Sequence, residues 1–177
     1  MTNPFLVTPP NLSDAQDLLK FVKCLVTIDT ERVEQIDKVD KLTIKDEVQW
    51  LSVILEKMKS GNYHTLCLRD SNNLLLGFGE IECRPRAMEK HVAELRFGLL
   101  PSYVEAGKYL VQSLENIART MAIKLIYYFH LATQHQGLQV MQNSGYSHAG
   151  CLEGYYLKEG IYIDRIYLAK QLDYVIN

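Results

Sequence analysis

Few side chains in this sequence can do chemistry on their own, and their neighbours decide what each can do. Glu94 stands in Ala93-Glu94-Leu95, so along an extended strand its carboxylate faces away from two apolar neighbours. Glu80 and Glu82, in Gly79-Glu80-Ile81-Glu82, share one face of an adjoining run in the same way. A carboxylate so placed can accept a proton from a nucleophile or simply face solvent. His130 alternates with Tyr128 and Ile126 inside an apolar and aromatic run. An imidazole titrates near neutral pH, which suits proton transfer, and the same position suits a hydrogen-bonded sheet residue. His64 and His91 lie near strand starts with no evident partner. Cys24, Cys67, Cys83 and Cys151 are far apart with no CxxC pair, so no metal site is expected. Cys67 and Cys83 fall in apolar runs and read as buried reduced thiols.

The elements that must position these groups follow from periodicity. Phe5-Leu6-Val7 reads as a short first strand closed by Pro9-Pro10. Ser13 and Gln16 form a capping-box pattern ahead of helical spacing at Leu18, Leu19, Val22, Leu25 and Val26. Residues 29–42 are charged and lack a long apolar stripe, which predicts a loop or irregular helix. Thr43 can cap a helix with the face Ile44, Val48, Leu51, Leu55 and Met58, stopped by Gly61. Strands are predicted over 63–69, 74–83 and 91–100, the last ending at Pro101. A long helix over about 106–122 carries the stripe Tyr109, Leu110, Leu114, Ile117, Ala118 and Met121. The run Leu125–Ala132, directly after a helix, predicts a strand buried on both faces and parallel to a neighbour. A short helix over 135–143, then strands 146–157 and 161–169 joined by a turn at Lys158-Glu159-Gly160, complete the chain. The order predicts a single α/β (α+β) domain over 1–177, a mixed central sheet of about six to seven strands flanked by about four helices.

Composition narrows the class. The 177 residues carry 19 Lys+Arg and 21 Asp+Glu, a formal net charge of −2, with 47% hydrophobic and 23% charged residues. These are the proportions of an ordinary globular fold, neither disordered nor fibrous. A sequence pI of about 6.2 offers no basic footprint for nucleic acid. No segment has the ~20 apolar residues of a membrane helix. Met1-Thr2-Asn3-Pro4 lacks the basic start and apolar run of a signal peptide, so a cytoplasmic location is expected.

The succession strand, proline-ended turn, glycine and helix over 91–122, then buried strand, short helix and Gly145-Tyr146 over 125–146, resembles the GNAT N-acetyltransferase superfamily. The likeness covers nearly the whole chain. The stretch Gly150-Cys151-Leu152-Glu153-Gly154-Tyr155-Tyr156, followed by Lys158-Glu159-Gly160-Ile161-Tyr162-Ile163-Asp164, looks like the final hairpin of the ribosomal-protein and antibiotic acetyltransferase branch.

That resemblance implies acetyl-CoA as co-substrate. Its phosphate-binding motif opens the long helix and here falls on Val104, Glu105, Ala106, Gly107, Lys108 and Tyr109. Free N–H groups and the positive dipole end hold the pyrophosphate there. Only Gly107 matches the family pattern, while Val104 replaces Gln or Arg and Tyr109 replaces a small residue. Phe97, Gly98, Leu99 and Leu100 occupy the strand whose backbone pairs with the pantetheine amides. Glu94 takes the position of the family's general base. Gln134 stands at the Asn position of the following helix and is a candidate cofactor contact. Met141 stands where the family places the tyrosine that protonates the leaving thiolate, and Met has no proton to give. Tyr146 falls at a packing aromatic position, and Trp50 lies on a helix that helps wall the acceptor site in this family.

The resemblance therefore implies an acyl-CoA-dependent N-acyltransferase that moves an acetyl group to a primary amine by direct attack in a ternary complex. The acceptor is a small-molecule amine or a protein N-terminus or lysine. Loss of Tyr at 141 is compatible with this, because a thiolate of pKa ~8.5 is a good leaving group. The alternative is a catalytically degenerate member that binds CoA or acts as a regulatory or interaction module, which Val104, Tyr109 and Met141 favour. Acceptor choice would rest on residues 29–42, with Glu31, Glu34, Asp37 and Asp40, on the loop 84–90 and on the last hairpin. A homodimer is compatible with the family's habits.

Overall fold

The computed structural model describes residues 4–33 and 36–172. Its elements are β1 (Leu6–Thr8), α1 (Ala15–Ile28), α2 (Ile36–Val39), α3 (Ile44–Met58), β2 (Tyr63–Arg69), β3 (Leu75–Cys83), β4 (Val92–Leu99), α4 (Val104–Thr120), β5 (Leu125–Leu131), α5 (His135–Asn143), β6 (Ser147–Lys158) and β7 (Ile161–Gln171). Met1, Thr2, Asn3 and Glu34 lie outside the described residues.

Seven strands form one mixed sheet in the order β1-β2-β3-β4-β5-β7-β6. Among the described strands only β4 and β5 run parallel, joined by the α4 crossover, as the run at 125–132 predicted; that run is fully buried on one face only, with Leu125, Tyr127 and Phe129 half-buried on the other. One apolar cluster packs α4 and α5 on one face of the sheet through Leu110, Leu114, Val140 and Met141. A second packs α1 and α3 on the other through Leu18, Phe21, Leu25 and Leu51. Among the described residues no helix is long and apolar enough to cross a membrane.

Two local readings are corrected. The chain enters α1 through a turn capped by Asn11, not by Ser13 and Gln16. The Asn11 side chain accepts from the Ser13 N–H at 3.0 Å, and Asp14 accepts from the Asn11 N–H at 2.7 Å. The Ser13 hydroxyl is itself spent on Asn11, and Asn caps as well as Ser does. In α3 the Thr43 box forms with Asp46 as expected. The buried face, however, is Glu47, Leu51 and Ile54, while Ile44 and Val48 are 43% and 39% exposed. Contact with α1 and β2 turns the helix to that face. Glu47 has been carried into the apolar layer, and burial raises its pKa.

Gly107 explains how closely α4 lies on the sheet. A Cβ there would sit 2.9 Å from Leu99 Cδ2 and from both methyls of Val140. Gly107→Val is expected to cost about 1–3 kcal/mol by overpacking, read as a fall in the urea midpoint at unchanged slope. A neutral result would mean that α4 stands further from β4 and α5 in solution.

Candidate active site

The site begins where two neighbouring strands part. β4 and β5 pair at Val92↔Leu125, Ala93↔Ile126 and Glu94↔Tyr127, and go no further. On their outer sides both strands continue, β4 pairing with β3 up to Leu99 and β5 with β7 up to Leu131. A gap therefore opens between 95–99 and 128–131. Backbone alternation decides which groups face it. The Leu100 N–H donates to Leu76 O in β3, and His91 O accepts from Leu125 N–H in β5. Odd-numbered residues of β4 thus turn their backbone groups toward β5. Of the four backbone positions expected at the cofactor, Phe97 and Leu99 face the gap. Gly98 spends its own on β3, while Leu100 gives its N–H to Leu76 O and its carbonyl to the Tyr103 N–H.

The N-terminus of α4 lies just past the end of β4. The turn Pro101–Tyr103 leads into it, and no side chain caps it. Val104 is half-buried, Glu105 and Lys108 are exposed, and Ala106 and Gly107 are buried. Glu105 is the acidic residue of the first turn, where it favours the helix and opposes a bound anion. Tyr109 points elsewhere: its ring packs on Phe5 at 5.4 Å between centroids and carries Lys108 Nζ at 5.3 Å. Its bulk is used on the N-terminal segment.

The carboxylates form a linked network on the face that carries α1 and α3. Glu94 is 9% exposed and accepts from the Tyr127 hydroxyl at 2.7 Å and from Arg84 at 3.2 Å. Arg96 Nε lies 3.5 Å from Glu94 and 2.6 Å from Glu80, and its Nη2 donates to Glu82 at 2.9 Å. Lys57 pairs with Glu82 at 2.7 Å, and the Tyr63 hydroxyl donates to Glu80. Burial and the Glu80 charge push the Tyr63 phenol up, and burial and Glu94 do the same for Tyr127. Lys57 and the two arginines hold the Glu82 carboxyl below its usual range against the cost of burial.

On the opposite face of β5, His130 is 3% exposed. Its Nδ1 lies 2.6 Å from Leu131 O. A carbonyl only accepts, so Nδ1 carries the proton and Nε2 the lone pair. Nε2 is buried with no hydrogen-bond partner. Desolvation lowers the pKa of His130, which keeps the ring neutral at pH 7. Met141 is fully buried in the α4–α5 core and Tyr146 is 4% exposed there, with Lys170 over its ring at 5.6 Å. His64 lies on β2 and His91 just before β4, away from the gap.

Arg32 is not singled out by sequence reasoning beyond its place in the charged stretch 29–42. It follows α1 in the charged stretch and lines three adjoining cavities with Phe97. Asp29 pairs with it at 3.6 Å and accepts from Gln134 at 3.5 Å. Lys158, on the last hairpin, donates to Thr30 O at 2.7 Å and to Glu31 at 3.1 Å. Segment 29–32 is thereby strapped over the open end of the gap, and Gln134 contacts the strap. Two cavities, of about 20 Å³ and 100 Å³, lie in the gap and share Phe97, Tyr128 and Gln134. They are narrow because the Phe97 and Tyr128 rings stack there at 5.3 Å. The Tyr128 hydroxyl lies close against Gly137, where a Cβ would collide with it. His130 borders the larger of the two. The third cavity, about 320 Å³, opens between α1, Trp50 of α3 and the β3–β4 surface.

A strand gap with free backbone edges, aimed at an uncapped helix N-terminus, fits an extended chain of amides ending in a phosphate group. Among the described residues no cluster of His, Cys, Asp or Glu is arranged to hold a metal ion.

No family model matches this sequence, and no curated protein matches it by sequence. Solved structures match it closely in shape. A GNAT-family acetyltransferase from Streptococcus pneumoniae is 19% identical, with a TM-score of 0.79 over 95% of this chain and 99% of that one. A ribosomal-protein-alanine N-acetyltransferase from Brucella melitensis is 18% identical, with a TM-score of 0.75 over 94% and 99%. A GNAT-superfamily phosphinothricin acetyltransferase from Sinorhizobium meliloti, solved in complex with acetyl-CoA, is 13% identical, with a TM-score of 0.77 over 96% and 89%. The chain has the GNAT acetyltransferase fold, with the seven-stranded mixed sheet and flanking helices the sequence predicted.

Proposed function

We propose that this GNAT-fold chain transfers the acetyl group of acetyl-CoA to the nitrogen of a primary amine. One observation carries the proposal: β4 and β5 separate after Glu94 and Tyr127, directly before the uncapped start of α4. Phe97 and Leu99 would offer backbone groups to the pantetheine amides, and the N–H groups at Val104–Gly107 would receive the pyrophosphate. Gln134 and Lys108 would sit beside the bound molecule. Acetyl-CoA supplies an activated thioester. The amine attacks its carbonyl carbon, a C–N bond forms, the C–S bond breaks, and the amine proton passes to a base. The thiolate leaves without a protein acid, since a thiol of pKa ~8.5 is a good leaving group and Met141 cannot protonate it.

Two groups compete for the proton. Glu94, the acid implied by the resemblance, is held by Tyr127, Arg84 and Arg96 and borders none of the three cavities. His130 borders the gap cavity with a neutral ring and an unpartnered Nε2. We assign proton acceptance to His130. Glu94 then acts as the positioning residue that holds Arg96 and Tyr127. The pH profile separates them: a His130 base gives a rate that falls on acidification with a midpoint below the ordinary 6.5, because burial lowers its pKa. With Glu94 as the base, that acid limb would persist in a His130→Gln variant.

The direct test mixes protein, acetyl-CoA and a panel of primary amines and follows free thiol alongside the mass of the acetylated amine. Amine-dependent thiol release matched by product supports the proposal. Binding of acetyl-CoA with no transfer to any amine would favour the second reading, a CoA-binding or regulatory module. The Phe97–Tyr128 stack across the gap favours that reading.

A further inference from the structure

The cavity between α1, α3 and the sheet names a class of acceptor. We infer that it receives the body of an apolar monoamine, an arylalkylamine or alkylamine with no second charge, and presents its nitrogen to the gap. The inference rests on the acetyltransferase proposal above and adds the substrate class.

Position comes first. The cavity shares Arg32 and Phe97 with both gap cavities, so it opens onto the segment of β4 where the thioester would lie. It lies on the other face of the sheet from α4 and α5, and so from the groove proposed for the co-substrate. Size comes next. At about 320 Å³ it is roughly twice the ~150 Å³ cavity that accommodates a benzene ring, leaving room for a short chain carrying an amine. Its lining is mainly apolar: Leu18, Val22 and Leu25 from α1, Trp50 from α3, and Phe78 on the floor, with Trp50 and Phe78 in ring contact at 5.6 Å. Gly98 keeps the floor low, since a Cβ there would meet Leu25 Cδ2 at 2.7 Å.

Charge excludes the other amines. The wall carries Arg32, Arg96 and Glu80, and each is already matched. Arg96 faces Glu80, Glu82 and Glu94, and Arg32 faces Asp29. Among the described lining residues no surplus negative charge remains for the second ammonium of a polyamine, and no surplus positive charge for the carboxylate of an amino acid. Burying an extra charge in such a pocket without a partner is unfavourable. Apolar surroundings also favour the neutral form of the amine, which is the form that attacks.

The test uses 2-phenylethylamine and spermidine as probes. In steady-state assays with acetyl-CoA, kcat/KM for phenylethylamine is expected to exceed that for spermidine by at least about tenfold. Val22 is half-buried on the cavity wall, so Val22→Glu adds a carboxylate with little cost to folding. It should cut the phenylethylamine value about tenfold, mainly through KM, and shrink or reverse the ratio. A spermidine preference in the wild type, or a ratio untouched by Val22→Glu and Trp50→Ala, overturns the inference while leaving acetyl transfer intact. Amide NMR with phenylethylamine alone tests the pocket without the reaction. Shifts confined to 18–26, Phe78, Gly98 and the Trp50 indole uphold the site even if no amine is acetylated, an outcome that would count against the acetyltransferase proposal. No shift at those positions overturns the site.

Discussion

His130→Gln is expected to lower kcat/KM for acetyl transfer by about 10²–10⁴-fold, the usual contribution of a positioned general base. The ring is held for that role. Its Nδ1–H is committed to Leu131 O at 2.6 Å, which fixes the tautomer and leaves the lone pair on Nε2. Burial keeps it neutral. Gln preserves size and polarity without basicity, so the fall should appear in kcat with little change in the KM for acetyl-CoA. The wild-type acid limb, with its midpoint below 6.5, should vanish in the variant, and the limb set by the acceptor amine itself, at about 10, should stay. Glu94→Gln is expected to change the rate less and to leave the acid limb in place. A variant that loses the acid limb at Glu94 and keeps it at His130 would reverse the two assignments.

Glu115→Ala is expected to destabilise the fold by about 3 kcal/mol, toward the lower end of the 3–5 kcal/mol range for a broken buried pair. Glu115, on α4, is 4% exposed, and Lys170 on β7 donates to both its oxygens at 2.8 and 2.9 Å. The same ammonium donates to Ser144 O at the end of α5 at 2.8 Å, so one pair ties three elements. The Lys170 side chain is 25% exposed, and water relieves part of the loss, which places the value at the low end. For a chain of this size the shift corresponds to about 6–12 °C in melting temperature. The double variant Glu115→Leu with Lys170→Met removes both charges and should recover most of the stability. A single variant costing under about 1 kcal/mol would mean that the pair is solvated.

What was legible in the sequence divides along a physical line. β2 and α5 match the spans predicted for them, because strand alternation and helical spacing are local. The parallel pairing of β5 was legible because Leu125–Leu131 is almost wholly apolar and aromatic, although Leu125, Tyr127 and Phe129 stay half-buried and only the other face is fully covered. The face of α3 was misplaced, since Ile44 and Val48 are as apolar as Leu51 and only the helix packed against it decides which are covered. The Asn11 cap was missed because Ser13 carries the same signature two residues later. Arg32 was invisible: its place depends on a strap held by Lys158, a residue 126 positions away. The strand over 91–100 was legible as a strand, but that Phe97 and Leu99 turn their backbone toward the gap and Gly98 away from it follows only once the strand's partner on each side is known. Tyr109 looked like an obstacle to a phosphate loop and proves to pack on Phe5.

Acetyl-CoA is proposed to bind in the gap between β4 and β5, at the start of α4. Titration calorimetry of the full chain with acetyl-CoA is expected to give one site with a micromolar Kd, and at 100 times Kd a stabilisation of about 2.7 kcal/mol in thermal unfolding. Absence of binding at millimolar acetyl-CoA, with the protein folded, would contradict it.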